Sequence, residues 1–164
     1  VVQEYFKLVD IVNEFDQRLL TIKGWGVTLS LAALGFGFQY QHYGFFLVAA
    51  MSGLMFWIIE YAVKRHQMRY YVRMNEIEVY AYTAHKQAGK DFVSPLIDWS
   101  WYKAGAILTG APNARSGQPI LRGKSGGYIY AWLWPHVSLP HAVTLTIGVL
   151  FFVLGLMGVL NMPL

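Results

Sequence analysis

Residues 141–162 read HAVTLTIGVLFFVLGLMGVLNM and contain no Asp, Glu, Lys or Arg. About 20 apolar residues in a helix are enough to cross a hydrocarbon core roughly 30 Å thick. Two earlier segments have the same character: residues 24–42 carry no charged side chain, and residues 43–63 carry only Glu60. The sequence therefore predicts an all-α integral membrane protein with three transmembrane helices.

The overall composition favours a non-aqueous environment. Charged residues make up 13% of the chain, whereas soluble domains contain about 25%. Three apolar helices would also leave too little polar sequence to cover them as the core of a soluble protein. Because the chain has no cysteine, its own side chains cannot form disulfides, thiolate zinc sites or iron–sulfur clusters, nor attach haem covalently.

Basic residues predict the orientation of the helices. They lie before the first span and directly after the second, whereas the short connection between those two spans has none. Cytoplasmic loops are enriched in Lys and Arg. We therefore expect the N-terminus and residues 64–140 in the cytoplasm and the C-terminus outside, across a membrane that we expect to be a bacterial inner membrane.

Apolar residues recur at alternating spacings of four and three in the segments that flank the first two spans. In residues 1–23 the pattern includes Tyr5 and Val12, and in residues 64–90 it includes Met74. Such a period is typical of helices that pack against other helices. Since the first two spans are predicted to form a helical hairpin, we expect their extensions to pair as a cytoplasmic antiparallel stalk. The alternative is that one of these two seams binds a second subunit.

Small residues recur in all three spans at spacings that place them on one helix face. Helices within lipid associate through close backbone packing, which small side chains allow. The contacts could form within one chain or between copies of it. We predict helix packing at Gly26, Ser30, Ala33, Gly37, Ala49, Gly53, Gly148 and Gly155.

The segment 91–140 is rich in Gly and Pro, and after Asp98 the chain has basic but no acidic residues. Its sequence GQPILRGKSGG (117–127) is close to a phosphate-binding loop, but five residues instead of four separate the first two glycines. No strand is predicted before it, and the runs on either side of GKSG are typical of a short β-hairpin. We therefore interpret the sequence as a turn.

The cations of this basic loop and of the second extension are candidates for binding anions. Cytoplasmic leaflets are negatively charged, and Lys or Arg near them is attracted. Anionic lipid head groups are the first candidate, an acidic surface of a partner protein is the second, and a phosphorylated small ligand is the least supported. The candidate contacts are Lys103, Arg115, Arg122, Lys124, Arg65, Arg69 and Arg73.

Glu60 is the one acidic residue within a predicted span, and ionisable residues in such positions often serve ion or proton passage. It lies one turn from Lys64, so we interpret it as structural and paired with Lys64 or Arg65. The five histidines form no i, i+3 or i, i+4 pairs. We therefore expect no metal site, and we interpret His136 and His141 as polar anchors at the membrane interface.

No nucleophile lies beside a recognisable base, so we expect neither an enzyme nor a cofactor, and we expect no nucleic-acid partner. The predicted function is that of a structural or accessory subunit of a membrane assembly. It would contact lipids and other membrane subunits, or copies of itself, through the stalk and the basic loop. The alternative is a homo-oligomeric effector or channel triggered through its cytoplasmic region. A channel requires a polar stripe, but the hydroxyl residues are scattered, at Thr28, Ser30, Ser52, Thr144 and Thr146.

Overall fold

A computed structural model of the protein describes residues 1–88, 96–100 and 131–164. These residues are 87% helical and contain no strand. Three long helices are present: α1 (Val2–Gln39), α2 (Gly44–Gln87) and α3 (Pro135–Leu156). All three are long and apolar enough to cross a membrane. The prediction of three such helices is confirmed for the described part of the chain.

Helices α1 and α2 are continuous across the predicted boundaries between spans and extensions. They contain 38 and 44 residues, which corresponds to roughly 57 and 66 Å at 1.5 Å per residue. Helix α1 ends in a Schellman-type cap, in which Gln41 has a φ of 55° and the His42 N–H donates to the Gly37 carbonyl at 3.1 Å. The cap reverses the chain within the short 40–43 connection.

Helix α3 begins at Pro135 rather than at residue 141, and it ends at Leu156 rather than at residue 162. Residues 135–140 were expected to be an irregular part of the Gly/Pro-rich segment. Pro135 fits the first helical turn because its missing N–H has no intrahelical partner there. Pro140 lies inside the helix, although a proline in the sequence usually indicates a turn or a helix end.

The predicted β-hairpin falls mostly outside the described residues. Only the end of its second run is described, and residues 131–133 form a 3₁₀ turn instead of a strand. This turn leads into α3 through Trp134, whose backbone is extended. The first helical residue, Pro135, follows directly. The aromatic run at 127–134, which favours a strand by composition, is therefore helical at its C-terminal end.

The chain divides into two compact units. In unit 1, the described residues are Val1–Asn13, 66–88 and 96–100. Its core joins α1 to α2 through a cluster of five buried side chains, and all of them belong to the predicted 4-3 seams. They are Tyr5, Leu8, Val12, Met74 and Ile77.

Helix contacts within unit 1 run antiparallel. The Gln67 side-chain amide donates to the Val12 carbonyl at 3.1 Å, and Arg73 forms an ion pair with Glu4 at 2.8 Å. The hydrogen bond to Arg73 lowers the pKa of the exposed Glu4 carboxyl. The apolar seam and the charges beside it therefore both favour the antiparallel pairing of α1 with α2 in this unit.

In unit 2, the described residues are Glu14–Arg65 and 131–164. Its core cluster joins all three helices and contains Ala33 and Phe46, with Ile147 and Phe151 packed against them. Helix α3 approaches α2 closely at Gly148, where an added Cβ would lie 2.8 Å from the Ala50 N and from the Phe46 carbonyl oxygen. Both neighbours are backbone atoms, so only glycine fits there without movement of a helix.

Candidate functional site

A buried ionic cluster in unit 2 joins one side chain from each long helix: Lys23 of α1, Glu60 of α2 and His141 of α3. The Lys23 Nζ lies 3.1 Å from Glu60 Oε1, and the His141 Nε2 lies 2.8 Å from Glu60 Oε2. Glu60 is 2% exposed and His141 is fully buried. Each carboxylate oxygen therefore has its own nitrogen partner.

Pro140 affects the cluster because it has no backbone N–H group. A residue at this position in a helix would ordinarily donate to the carbonyl four residues earlier, which is that of His136. In the structure the His136 carbonyl instead accepts a hydrogen bond from Lys23 Nζ at 2.6 Å. Lys23 therefore contacts both the Glu60 carboxylate of α2 and the backbone of α3.

Small residues allow the three helices to meet at this level. A Cβ on Gly26 would lie 2.7 Å from the Phe56 Cβ and 3.1 Å from His141 Cε1. A Cβ on Gly53 would lie 2.8 Å from Thr144 Oγ1 and 3.3 Å from the His141 carbonyl oxygen. Thr144 in turn donates to that carbonyl at 3.0 Å. The close backbone approach and the ionic cluster thus belong to one packed layer.

The chemistry of the cluster is charge compensation. An isolated carboxylate in a low-dielectric interior is strongly disfavoured unless it is paired and hydrogen-bonded. The Lys23 ammonium supplies a positive charge opposite the Glu60 carboxylate. The His141 Nδ1 atom is buried and has no hydrogen-bond partner within the described part of the chain. The described residues contain no group of three metal-ligating side chains.

The expected partners of Glu60 differ from the observed ones. We expected Lys64 or Arg65, which are close in sequence, but the ion pair of Lys64 is with Asp16 at 3.6 Å. Arg65 is exposed. His141 was expected to be an interfacial anchor, and its full burial beside Glu60 corrects that expectation.

A second buried carboxylate, Glu78, lies in unit 1 and is held differently. Its Oε1 accepts hydrogen bonds from the Tyr5 hydroxyl at 2.5 Å and from the Asp98 N–H at 2.8 Å. Its Oε2 accepts from the Trp99 N–H at 2.9 Å, and the Tyr5 oxygen accepts from the Ile97 N–H at 3.1 Å. Residues 97–100 are helical, so Glu78 caps a helix N-terminus, where negative charge is favoured. Burial and the Glu78 carboxylate both raise the pKa of Tyr5.

The predicted packing residues lie at helix contacts or in the buried interior of unit 2. Ser30 and Ala49 are fully buried and Ala33 is 7% exposed. An added Cβ on Gly37 would contact Phe46, and one on Gly155 would contact Tyr43. These observations and the close approaches described above give the positions of all eight predicted packing residues: Gly26, Ser30, Ala33, Gly37, Ala49, Gly53, Gly148 and Gly155.

Of the predicted anion-binding residues, the structure describes Arg65, Arg69 and Arg73. Lys103, Arg115, Arg122 and Lys124 lie outside the described residues. Arg65 and Arg69 are exposed on α2. Arg73 is also exposed, but it pairs with Glu4 at 2.8 Å and with Glu76 at 3.2 Å.

Sequence reasoning missed Lys23 as a partner of Glu60 and Tyr5 as a partner of Glu78. One signal could have found both. Lys23 and Glu60 are equally distant along the chain from the centre of the 40–43 connection, and so are Tyr5 and Glu78. In an antiparallel helix pair, such residues lie at the same level. No comparable signal exists for His141, because distance from the 40–43 connection relates α1 to α2 but does not include α3.

Comparison of the chain with protein-family models, curated proteins and solved structures found no match.

Proposed function

We propose that the chain is a non-catalytic integral membrane protein with all three helices in the bilayer. Helices α1 and α2 form a hairpin that extends as an antiparallel stalk into the cytoplasm. The N-terminus and residues 64–140 are cytoplasmic, the C-terminus is outside, and the membrane is a bacterial inner membrane. The distribution of basic residues supports this orientation.

The observation that carries membrane insertion is the apolar outer surface of unit 2. Large apolar side chains are exposed on every helix there, for example Leu31 at 56%, Val48 at 53% and Leu150 at 53%. The ionisable residue Glu60 is turned inward and paired. Lipid as the surrounding solvent explains both facts, because ionisable groups inside membranes face the protein interior.

Within a membrane assembly, we assign the chain the role of a structural or accessory subunit. Unit 1 supports a partner contact, because it exposes Phe6 at 51% and Tyr80 at 70% outside the proposed spans. The basic loop would contribute contacts to anionic lipid head groups or to an acidic partner surface. The ionic cluster then has a structural role, since its charges are used to hold three helices together.

Mass measurement of the detergent-extracted particle tests this role. The chain is expected in the membrane fraction and in a particle of defined stoichiometry with other membrane polypeptides. A large particle that contains only copies of this chain, and that conducts ions in liposomes, would instead establish the effector or channel function.

Fusion of a reporter enzyme to Leu164 tests the orientation separately. A periplasmically active alkaline phosphatase is expected to be active at this position, and a fusion at Gln87 is expected to be inactive. The opposite pattern would contradict the proposed topology while leaving the subunit role to the mass measurement.

A further inference from the structure

A groove on the surface of unit 2 has features of a binding site. Its volume is about 430 Å³, and its lining side chains are apolar or aromatic: Leu54, Trp57, Ile58, Tyr61 and Trp132. Sites for small molecules usually measure about 300–1,000 Å³ and are mostly apolar. The groove is therefore large enough for part of a lipid acyl chain.

The aromatic wall of the groove is held in place before any ligand arrives. The Trp57 Nε1 donates a hydrogen bond to the Trp132 carbonyl at 2.9 Å, and the two ring centroids lie 5.9 Å apart. The indole donor is thus satisfied by the backbone, and the ring faces remain available for apolar contact. Residue 132 belongs to the 3₁₀ turn at 131–133, which leads into α3.

Arg65 continues the groove-lining stripe of α2 toward the cytoplasmic side of the proposed membrane. It follows Tyr61 by four residues and Trp57 by eight, and these spacings lie on one face of an α-helix. Its Cα is roughly 6 Å beyond that of Tyr61 along the helix axis. Arg65 is exposed and forms no ion pair with any described residue.

We propose that this groove binds an anionic phospholipid, with an acyl chain against Trp57, Tyr61 and Trp132 and the phosphate on Arg65. The inference rests on the proposed membrane insertion. A guanidinium recognises a phosphate through two parallel charge-assisted hydrogen bonds. Aromatic residues are enriched where acyl chains meet head groups. The order along α2, apolar then aromatic then cationic, matches the order of groups along such a lipid.

Charge distinguishes a lipid from a partner helix as the occupant. Among the described residues, the side chains that line the groove include no acid or base, and Arg65 lies beyond its end. The neighbouring cation Lys64 pairs with Asp16. A transmembrane helix would use the apolar groove without requiring Arg65. A phospholipid uses both, and its anionic head group gives Arg65 a counter-ion.

Native mass spectrometry of the purified full chain provides the test. Wild type and Arg65→Gln are titrated with phosphatidylglycerol and, in parallel, with zwitterionic phosphatidylcholine. Wild type is expected to bind phosphatidylglycerol in preference, and Arg65→Gln is expected to bind it about tenfold more weakly, since a hydrogen bond to a charged group is lost. Arg18→Gln is the matched control, because Arg18 is also exposed but pairs with Glu14.

Leu54→Trp tests the acyl-chain part by filling the groove, with Ile58→Trp as a second variant should the first fail to fold. Both are expected to reduce phosphatidylglycerol binding without changing helix content. Equal binding by wild type, Arg65→Gln and a folded groove-filling variant would overturn the proposal. So would a copurifying polypeptide that is lost only when the groove is filled, which would assign the groove to a partner helix.

The same preparation separates this inference from the proposed function. A chain that stays dissolved without detergent would contradict membrane insertion itself. A chain that requires detergent but shows no preference for phosphatidylglycerol would contradict only the lipid site.

Discussion

Glu60 in unit 2 and Glu78 in unit 1 are both buried carboxylates, and they are stabilised by different means. Glu60 in unit 2 is paired with two side chains, Lys23 and His141. Glu78 in unit 1 receives one hydroxyl and two backbone N–H groups. Glu60 therefore has a basic side chain on each oxygen, whereas a phenol and two backbone N–H groups are among the donors to Glu78.

This difference indicates two physical solutions to the same problem. A carboxylate paired with side chains from two other helices requires three helices to stay at one level. A carboxylate at a helix N-terminus requires only that a short segment, 97–100, stays docked on α2. We expect the first arrangement to fail through loss of charge balance and the second through loss of individual hydrogen bonds.

The largest effect is expected from Glu60→Gln. The change leaves Lys23, whose side chain is 25% exposed, and the buried His141 beside a neutral amide. Breaking a fully buried ion pair by removing one partner costs about 3–5 kcal/mol, and the partial exposure of Lys23 places the expected loss near the lower end of that range. Equilibrium unfolding in detergent, followed by far-UV circular dichroism, measures the free energy of unfolding. Glu14→Gln is the control, because Glu14 also pairs with a cation but at an exposed site. Equal losses in the two variants would show that the ionic cluster contributes no special stability.

Tyr5→Phe is expected to destabilise unit 1 by about 1.5–3 kcal/mol, the range for a hydrogen bond to a charged group. The change removes the donor to Glu78 and the acceptor of the Ile97 N–H. Hydrogen exchange of the amides at 97–99, measured by mass spectrometry, is expected to become faster. Unchanged exchange there would mean that Tyr5 does not hold this segment.

High pH tests the same contact without mutation. The pKa of Tyr5 is raised in the folded protein above its ordinary value of 10.0, so the unfolded chain loses this proton first as pH rises. The contribution of Tyr5 to folding stability is then constant below about pH 10 and falls above it. The wild-type free energy of unfolding is expected to decrease between pH 9 and 11 more steeply than that of Tyr5→Phe. Parallel curves would contradict the burial of a protonated Tyr5.

Gly53→Ala tests whether close helix approach holds the ionic cluster. The added Cβ would lie 2.8 Å from Thr144 Oγ1, and overpacking of this kind typically costs about 1–3 kcal/mol. Gly35→Ala is the matched control, because a Cβ built there meets no described atom within 4 Å apart from the adjacent residues and backbone of its own helix. Lower stability in Gly53→Ala but not in Gly35→Ala is the expected result of thermal unfolding in detergent. The same stability in both would show that α3 moves aside without cost.

The smallest effect is expected from Arg73→Gln in unit 1. Arg73 bridges Glu4 and Glu76, but all three side chains are exposed, and surface ion pairs contribute little. The melting temperature is expected to change less than in Tyr5→Phe, and the difference from wild type is expected to vanish in high salt. A loss as large as that of Tyr5→Phe would place the stabilisation of unit 1 in its surface charges instead of in Glu78.

Much of the helical architecture could be predicted because it depends on local pattern. The charge-free stretches gave the three apolar helices, and the 4-3 seam gave the core of unit 1, including Val12 and Met74. The start of α3 was missed because Pro140 is a residue typical of turns. Inside a helix, a proline leaves the carbonyl four residues earlier without its usual N–H donor, and here another donor takes that place. That donor, Lys23, is distant in sequence.

The candidate site was predicted only in part. Glu60 was recognised as unusual, but its partners were sought among neighbours in sequence, whereas they come from α1 and α3. Sequence spacing within one helix carries no information on a third helix. Glu78 was missed for a related reason, since its backbone donors, Asp98 and Trp99, lie outside the helices whose apolar seam could be predicted.

The Lys23 contacts have a mechanical consequence for unit 2. One ammonium links the Glu60 carboxylate of α2 to the His136 carbonyl of α3, so sliding α3 by one residue, about 1.5 Å, would displace the His136 carbonyl from the Lys23 ammonium and weaken that hydrogen bond. Beyond the other end of α3, the Pro163 carbonyl accepts a hydrogen bond from the Tyr43 N–H at 3.1 Å. The segment that contains α3 is therefore tied to α1 at one end and to the 40–43 connection at the other, which opposes sliding along its axis.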